Sequence, residues 1–329
     1  MPAEWTPQKA VWFAWPCSAA LWADCRTDLL NDFTKMLAAV AKSTKLNLIC
    51  CQGFQSEAEF YLTKYECTNY DVIDFETDDV WLRDFGPIFV NRATKRVLVN
   101  WNFNAWGGKF PEYKRDNAIP KKVAAFLSLE ALKPDVILEG GAVEVNGAEL
   151  ALTTESVLLN TNRNQEMSKE KLEGLLAEYF GANEILWLRD GLVNDDTDGH
   201  VDNISRFVAE RVIVTCICEP SNPSYKILNE NKKRLEEYRF ADGGRLEVID
   251  LPLPDPIYLN GEILPASYAN FLISNQVIFI PSFNQDKKDA QAQNILQKCF
   301  PSYRIEAIDC RLFLREGGAI HCLSQQEPN

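Results

Sequence analysis

A repeat constrains this chain more than any other feature. Strand-like runs begin near Asp71 (DVIDF), Asp135 (DVILE), Glu184 (EILWL), Leu246 (LEVID) and Ile305 (IEAID), roughly 50 to 65 residues apart, and each follows a helix-forming stretch. Apolar spacing predicts helices over Asp28–Lys42, Ser56–Tyr65, Asp116–Ser128, Ser168–Phe180, Ser224–Phe240 and Lys287–Cys299, with Ser168 an N-cap and Gly181 a C-cap. Runs rich in Val, Ile and aromatics predict further strands at Val97–Trp101, Arg211–Cys216 and Gln276–Ile280. An open, doubly wound parallel sheet expects one strand per helix, whereas most units here offer two or three. A ring of five α/β units of ββαβ type is the favoured fold, with pseudo-fivefold symmetry around a central site. No linker or charge block divides the sequence, so residues 1–329 are expected to form a single domain.

Composition bears on what such a ring can hold. With 46% hydrophobic and 25% charged residues in 329, the chain can bury a large core, which excludes wholesale disorder. Its formal charge of −13 disfavours nucleic acid and anionic membranes and suits a small cation, although solubility alone accounts for it equally well. The ten cysteines contain no CxxC pair and read as reduced, buried thiols of a cytoplasmic protein. The uncharged stretch Ala10–Ala23 holds Trp12, Trp15, Pro16 and Trp22 and follows Glu4; it fits a signal segment poorly and is expected to be folded structure. No run reaches the roughly 20 apolar residues of a membrane span, so no membrane association is expected, while a homo-oligomer stays open.

The two histidines are the natural starting point for chemistry. His200 lies in Asp196-Thr197-Asp198-Gly199-His200-Val201-Asp202, where alternate spacing puts His200 and Asp202 on one face of a strand. His321 directly precedes Cys322, after Gly317-Gly318. The segment Asp78–Pro87 contains Arg83 and Asp84; the bland alternative is a surface ion pair made by Arg83. Glu139 ends an apolar run, where a carboxylate is costly unless paired. On the repeats, Asp84 follows the first strand, Glu139 closes the second, His200 and Asp202 follow the third and Cys322 follows the fifth. Equivalent positions of a ring converge on its axis.

Such a cluster suits a guanidinium, whose planar fork of five N–H donors pairs with carboxylates in bidentate fashion. Asp84 and Asp202 would grip the fork and leave its central carbon facing Cys322. A thiol near its unperturbed pKa of about 8.5 is only slightly ionised at pH 7, and a bound cation raises that fraction. His200, oriented by Glu139 or a neighbour, would protonate departing ammonia and deprotonate water, with no metal and no cofactor. Cys17, Cys25, Cys50, Cys51, Cys67, Cys216, Cys218, Cys299 and Cys310 are left as structural.

Several motifs together carry a resemblance: Met1–Trp5, Val11–Pro16, Asp79–Pro87, Phe103–Lys109, Glu139-Gly140-Gly141, Asp196–Asn203 and Gly317–Gln326. In their joint order they resemble the agmatine deiminase family of the guanidino-group-modifying, peptidyl-arginine-deiminase-like superfamily, over nearly the whole chain. The resemblance implies a five-bladed α/β-propeller and one catalytic domain. It also implies hydrolysis of agmatine to N-carbamoylputrescine and ammonia, a step toward putrescine and polyamines. It matches Cys322 to the nucleophile, His200 to the acid/base, Glu139 to the supporting acid, Asp84 and Asp202 to the guanidinium-binding carboxylates, and Trp81 to a further substrate-binding position. The chain departs from the family in Cys17-Ser18, Asn102, Glu316 and Ala319; Glu316 adds a negative charge beside the nucleophile that would disfavour a thiolate or hold a cationic tail.

Three other readings stand beside this one. The substrate could be free or C-terminal peptidyl arginine, whose carboxylate would need a cation at the pocket mouth, with Arg163, Arg189 and Arg315 eligible. His200, Asp202 and Cys322 could be metal ligands. The propeller could be a non-catalytic binding module. The proline-rich segment Leu253–Ala266 is expected as a rim loop.

Overall fold

Each unit begins with strands and crosses to its outermost strand through a helix, because two parallel neighbours cannot be joined by a tight turn. The computed structural model describes residues 1–18 and 20–329. The first sheet holds β1 (Gln8–Ala14), β2 (Lys45–Ile49) and β3 (Tyr70–Ile73), all parallel, with α1 (Arg26–Ala41) and α2 (Gln55–Lys64) as the crossovers. The second sheet holds β4 (Ile88–Arg92), β5 (Lys95–Val99) and β6 (Ala131–Leu132), with α3 (Ile119–Leu127) before β6. The third holds β7 (Val143–Val145), β8 (Leu150–Thr154) and β9 (Glu184–Leu188), with α4 (Lys169–Phe180) before β9. The fourth holds β10 (Ser205–Ala209), β11 (Val212–Ile217) and β12 (Glu247–Pro252), with α5 (Tyr225–Glu237) before β12. After the small hairpin β13 (Tyr258–Leu259) and β14 (Glu262–Ile263), the fifth holds β15 (Leu272–Ser274), β16 (Val277–Ser282) and β17 (Arg304–Asp309), with α6 (Asp286–Cys299) before β17.

In sheets two to five the first strand is antiparallel to the second and the second parallel to the third. The first sheet lacks an antiparallel inner strand of its own. The last strand, β18 (Ser324–Pro328), supplies it by pairing antiparallel with β1, Phe13 opposite Ser324 and Gln8 opposite Pro328. Trp12 Nε1 donates to Glu327 Oε2 at 2.8 Å across this seam. The two chain ends thus close a five-bladed α/β-propeller.

All six expected helices are present. In α4 the Ser168 Oγ accepts from Lys171 N at 3.3 Å, and Gly181 ends the helix in the left-handed region. The strands expected at Asp71, Glu184, Leu246 and Ile305 are β3, β9, β12 and β17. The remaining expectation needs correcting: Asp135–Glu139 is not a strand, and only Ile137 bridges Asn102 while β6 lies earlier. The Asn164 side chain bonds both Ile137 N and Ile137 O, satisfying the backbone a longer ladder would have used. Within Ala10–Ala23, β1 and the turns after it are folded and its tryptophans buried, with residue 19 outside the described part. No described helix is long and apolar enough to cross a membrane.

Candidate active site

The inner strand of every blade is preceded by a short turn, and the five turns meet at the centre. Leu82–Phe85 leads into β4, Gly140–Ala142 into β7, Val201–Asn203 into β10, and Ile320–Leu323 into β18. Asn270 holds the corresponding place two residues before β15. Asp84, Glu139, His200, Asp202 and Cys322 are therefore brought together, and all are buried. One sequence expectation is corrected here. His200 and Asp202 do not alternate along a strand; Val201–Asn203 is a turn of 3-10 helix, entered through Asp198 and Gly199 with positive φ and held by His200 N donating to Thr197 Oγ1. The two side chains converge through the turn, not through a pleat.

Backbone glycine permits the close approach. A methyl group on Gly141 would stand 2.6 Å from His200 Nδ1 and 2.8 Å from Asp84 Oδ1, so only glycine fits between them. Gly141 N donates to Asp84 Oδ1 at 3.1 Å, and Trp106 Nε1 donates to Asp84 Oδ2 at 2.9 Å. Asp202 presents Oδ2 at 3.9 Å from Cys322 Sγ, while its Oδ1 is buried without a partner. His200 is the same: Nδ1 lies 3.4 Å from Asp84 Oδ1 and Nε2 3.9 Å from Glu139 Oε2, and neither nitrogen is hydrogen-bonded. Buried polar atoms are normally satisfied, so orphans gathered at one point mark where a ligand supplies the missing partners.

Burial and charge set the protonation. Burial alone would push His200 down, but the Asp84 carboxylate, with Glu139 and Asp202, outweighs it and holds the imidazole at about 9. A rise from 6.5 to that value is about 3 kcal/mol in favour of the imidazolium. Burial, only partly opposed by His200, raises Asp84 to about 6. Burial also pushes the Cys322 thiol well up, and the charges of Asp202 and Asp84 push it further. The site thus keeps sulfur protonated more firmly than a free thiol. Glu139 is lowered despite burial, through His200 and the Arg163 guanidinium, whose Nε donates to Glu139 Oε1 at 2.6 Å.

Trp81, Asp84 and Cys322 line a narrow cavity of about 90 Å³, together with Trp106, Asp79, Asp196 and Glu316 toward its mouth. Trp81 packs on Gly318 so closely that a methyl there would fall 2.3 Å from its ring. Burial, joined by the charges of Glu316, Asp78 and Asp84, lifts Asp79 to about 7. Arg83 makes no surface pair: it is buried, its Nη1 donating to Gln326 Oε1 at 2.7 Å. None of Arg163, Arg189 and Arg315 lines the cavity; Arg163 pairs with Glu139 and Asp198, Arg189 with Glu155, and Arg315 with Asp24. The segment Leu253–Ala266 does not rim it either, but forms the β13–β14 hairpin over a separate cleft beside Leu192 and Val193.

Sequence reading missed Asn270. Its Nδ2 donates to Cys322 Sγ at 3.0 Å, and its Oδ1 accepts from Cys322 N at 3.2 Å and His321 N at 3.1 Å. Nothing in its neighbours, Ala269 and Phe271, singles it out; the available signal was the repeat, since the fourth unit had no candidate at the position the others filled. Among the described residues no group of three His, Cys, Asp or Glu is arranged to hold a metal ion.

Comparison with known proteins agrees with this fold. A Marinomonas sp. chain provisionally named agmatine deiminase is 38% identical over all of this chain and 94% of its own length. The solved agmatine deiminase of Enterococcus faecalis superposes with a TM-score of 0.93 at 30% identity, covering 100% of this chain and 95% of the other. That of C. jejuni, solved as a cysteine-to-serine variant with substrate bound, gives 0.91 at 31%, covering 100% and 96%. The profile of the Porphyromonas-type peptidyl-arginine deiminases matches residues 1–328, from the strand that opens the ring to the strand that closes it. With the fold and the whole length in agreement, this chain belongs to the Porphyromonas-type peptidyl-arginine deiminase family.

Proposed function

We propose that the chain hydrolyses agmatine to N-carbamoylputrescine and ammonia through a covalent thiouronium on Cys322. The observation that carries this reading is the pairing of orphaned acceptors with a buried thiol: Asp202 Oδ1 lacks a donor while Oδ2 of the same group stands 3.9 Å from sulfur. A guanidinium between Asp84 and Asp202 gives Asp202 Oδ1 the donor it lacks and brings positive charge beside Cys322, so the thiol ionises as substrate arrives.

The thiolate then forms a bond to the guanidinium carbon. His200, cationic at rest, passes its proton to the departing nitrogen as that C–N bond breaks, and ammonia leaves an S-alkyl thiouronium. Neutral His200 takes a proton from water as the hydroxide oxygen bonds to the same carbon. Collapse breaks the C–S bond as the hydroxyl proton returns to sulfur, restoring the resting thiol and releasing a ureido product; with the thiol proton given up to solvent on binding, one guanidinium and one water yield one urea and, in solution, one ammonium. Asn270 Nδ2, 3.0 Å from sulfur, stabilises the thiolate, and Glu139, held by Arg163, supports the charge changes on His200.

The choice of agmatine over arginine rests on the mouth. Asp79, Asp196 and Glu316 line it, and among the described residues no lysine or arginine does. A distal ammonium is attracted there and a carboxylate repelled. Ten unpaired cysteines, with burial lifting Cys67 and Cys299 to about 11 and Cys216 to about 12, support a cytoplasmic setting and the structural role of the thiols outside the centre. The closing of β18 on β1 supports one catalytic domain. An ammonia-release screen over agmatine, arginine and a peptide ending in arginine tests the reading. Agmatine turned over at least tenfold more efficiently than the others is the expected result, and preference for a carboxylate-bearing substrate overturns it.

A further inference from the structure

The catalytic sequence above uses one histidine and leaves the other, His321, buried directly behind the nucleophile. Its Nδ1 lies 2.7 Å from Asp202 Oδ2 and its Nε2 2.9 Å from Glu4 Oε2. A carboxylate only accepts hydrogen bonds, and a neutral imidazole has one donor and one acceptor. Two carboxylates flanking one ring therefore demand a second proton. Glu4 is fully engaged as a carboxylate: Oε1 accepts from Ile273 N at 2.7 Å, and Oε2 from Arg206 Nη2 at 2.7 Å. Asp202 has one oxygen on the ring and the other buried without a hydrogen-bond partner.

The surrounding charges agree with a cationic ring. Glu4, Asp202 and Glu144 face Arg206 and Arg83, with Arg206 Nε 3.0 Å from Glu144 Oε2 and Arg83 Nη2 3.9 Å from Glu4 Oε2. Three carboxylates against two guanidiniums leave one negative charge unmatched in a dry interior unless the ring is charged. Arg83 Nε also donates to His321 O at 3.3 Å, fixing the backbone at the residue before Cys322.

We propose that His321 is a positioning residue: as an imidazolium held between Glu4 and Asp202, it keeps Asp202 ionised, with one oxygen bonded and the other aimed at the guanidinium. Residue 4 in the first turns of the chain is thereby coupled to substrate binding at the centre. The inference rests on the reading of the site given under Proposed function.

Two measurements test it. With only two histidines in the chain, 15N-histidine labelling of the whole protein gives two ring systems, assigned with a His200→Gln variant. The expected result is a doubly protonated His321 ring at neutral pH; a singly protonated ring there overturns the proposal. The second is agmatine affinity by calorimetry in a Cys322→Ser background, with and without His321→Gln. At least tenfold weaker binding is expected, with the acidic limb of binding moved to higher pH because Asp202 loses its cation; a folded variant within twofold and an unmoved limb overturns it. Should His321→Gln not fold, the ring spectrum of the unaltered histidine decides alone. Failure of Cys322→Ser to bind agmatine at all overturns the substrate reading instead, and the ring protonation still decides the positioning role.

Discussion

The two histidines are both buried among the carboxylates of the centre and differ in one respect. His200 has both ring nitrogens without hydrogen bonds, facing Asp84 and Glu139 across 3.4 and 3.9 Å, whereas His321 has both bonded at 2.7 and 2.9 Å. Both are buried, both are surrounded by acids, and neither is marked by composition alone. The lesson is that satisfaction separates the working face of a buried polar cluster from its support. For these two rings, the unbonded nitrogens of His200 belong to the working face and the bonded ones of His321 to the frame.

The largest effect expected on the working face is from Cys322→Ala. Ammonia release from agmatine should fall on the order of 10⁴-fold or more, with thermal unfolding little changed, because the substitution removes a nucleophile and one small atom of packing. Turnover retained in that variant would erase the distinction between face and frame. Asp84→Asn comes next. It keeps the shape but removes a buried charge that meets the guanidinium, and agmatine affinity should weaken by about 3 kcal/mol or more, roughly 10²-fold. A loss under twofold by calorimetry would put Asp84 with the frame.

The pH dependence sharpens the same division. Asp84, at about 6, loses its charge as pH falls through that value, and His200, at about 9, loses its proton as pH rises through that one. Because kcat/KM reports the free enzyme, its profile should be a bell with limbs near those values, and the acidic limb of kcat should lie lower, since bound guanidinium favours the Asp84 carboxylate. A profile flat across that range would mean the two groups do not work as a pair. The smallest effect belongs to the mouth. Glu316 is exposed, so Glu316→Gln should cost about 0.2–1 kcal/mol in agmatine affinity and nothing for an alkylguanidine without the distal amine. Equal losses for both ligands would show that Glu316 acts on the nucleophile and not on the tail.

The legibility of these parts from sequence follows how local their causes are. Helix α4 was readable because its apolar stripe, Ser168 cap and Gly181 terminator all lie within fourteen consecutive residues. Asp135–Glu139 misled because DVILE has strand composition, while Asn164, far along the chain, takes the bonds of Ile137 and leaves only a bridge. Trp106 shows no role within its motif, since its bond to Asp84 depends on a left-handed backbone at Ala105 and Trp106. Arg163 is eligible by residue type as a cation for a substrate carboxylate, but the fold pairs it with Glu139 and Asp198.

By itself the sequence determined the number of blades, the helices between strands, and the identity of the side chains placed at equivalent points of four units, because periodicity and residue type are properties of the chain read in order. Which atoms at those points are bonded and which are free was decided only by the closed ring. Hydrogen-bond satisfaction and pKa depend on partners such as Asn270, Arg163 and Glu4, which reach the centre from distant blades once β18 has paired with β1.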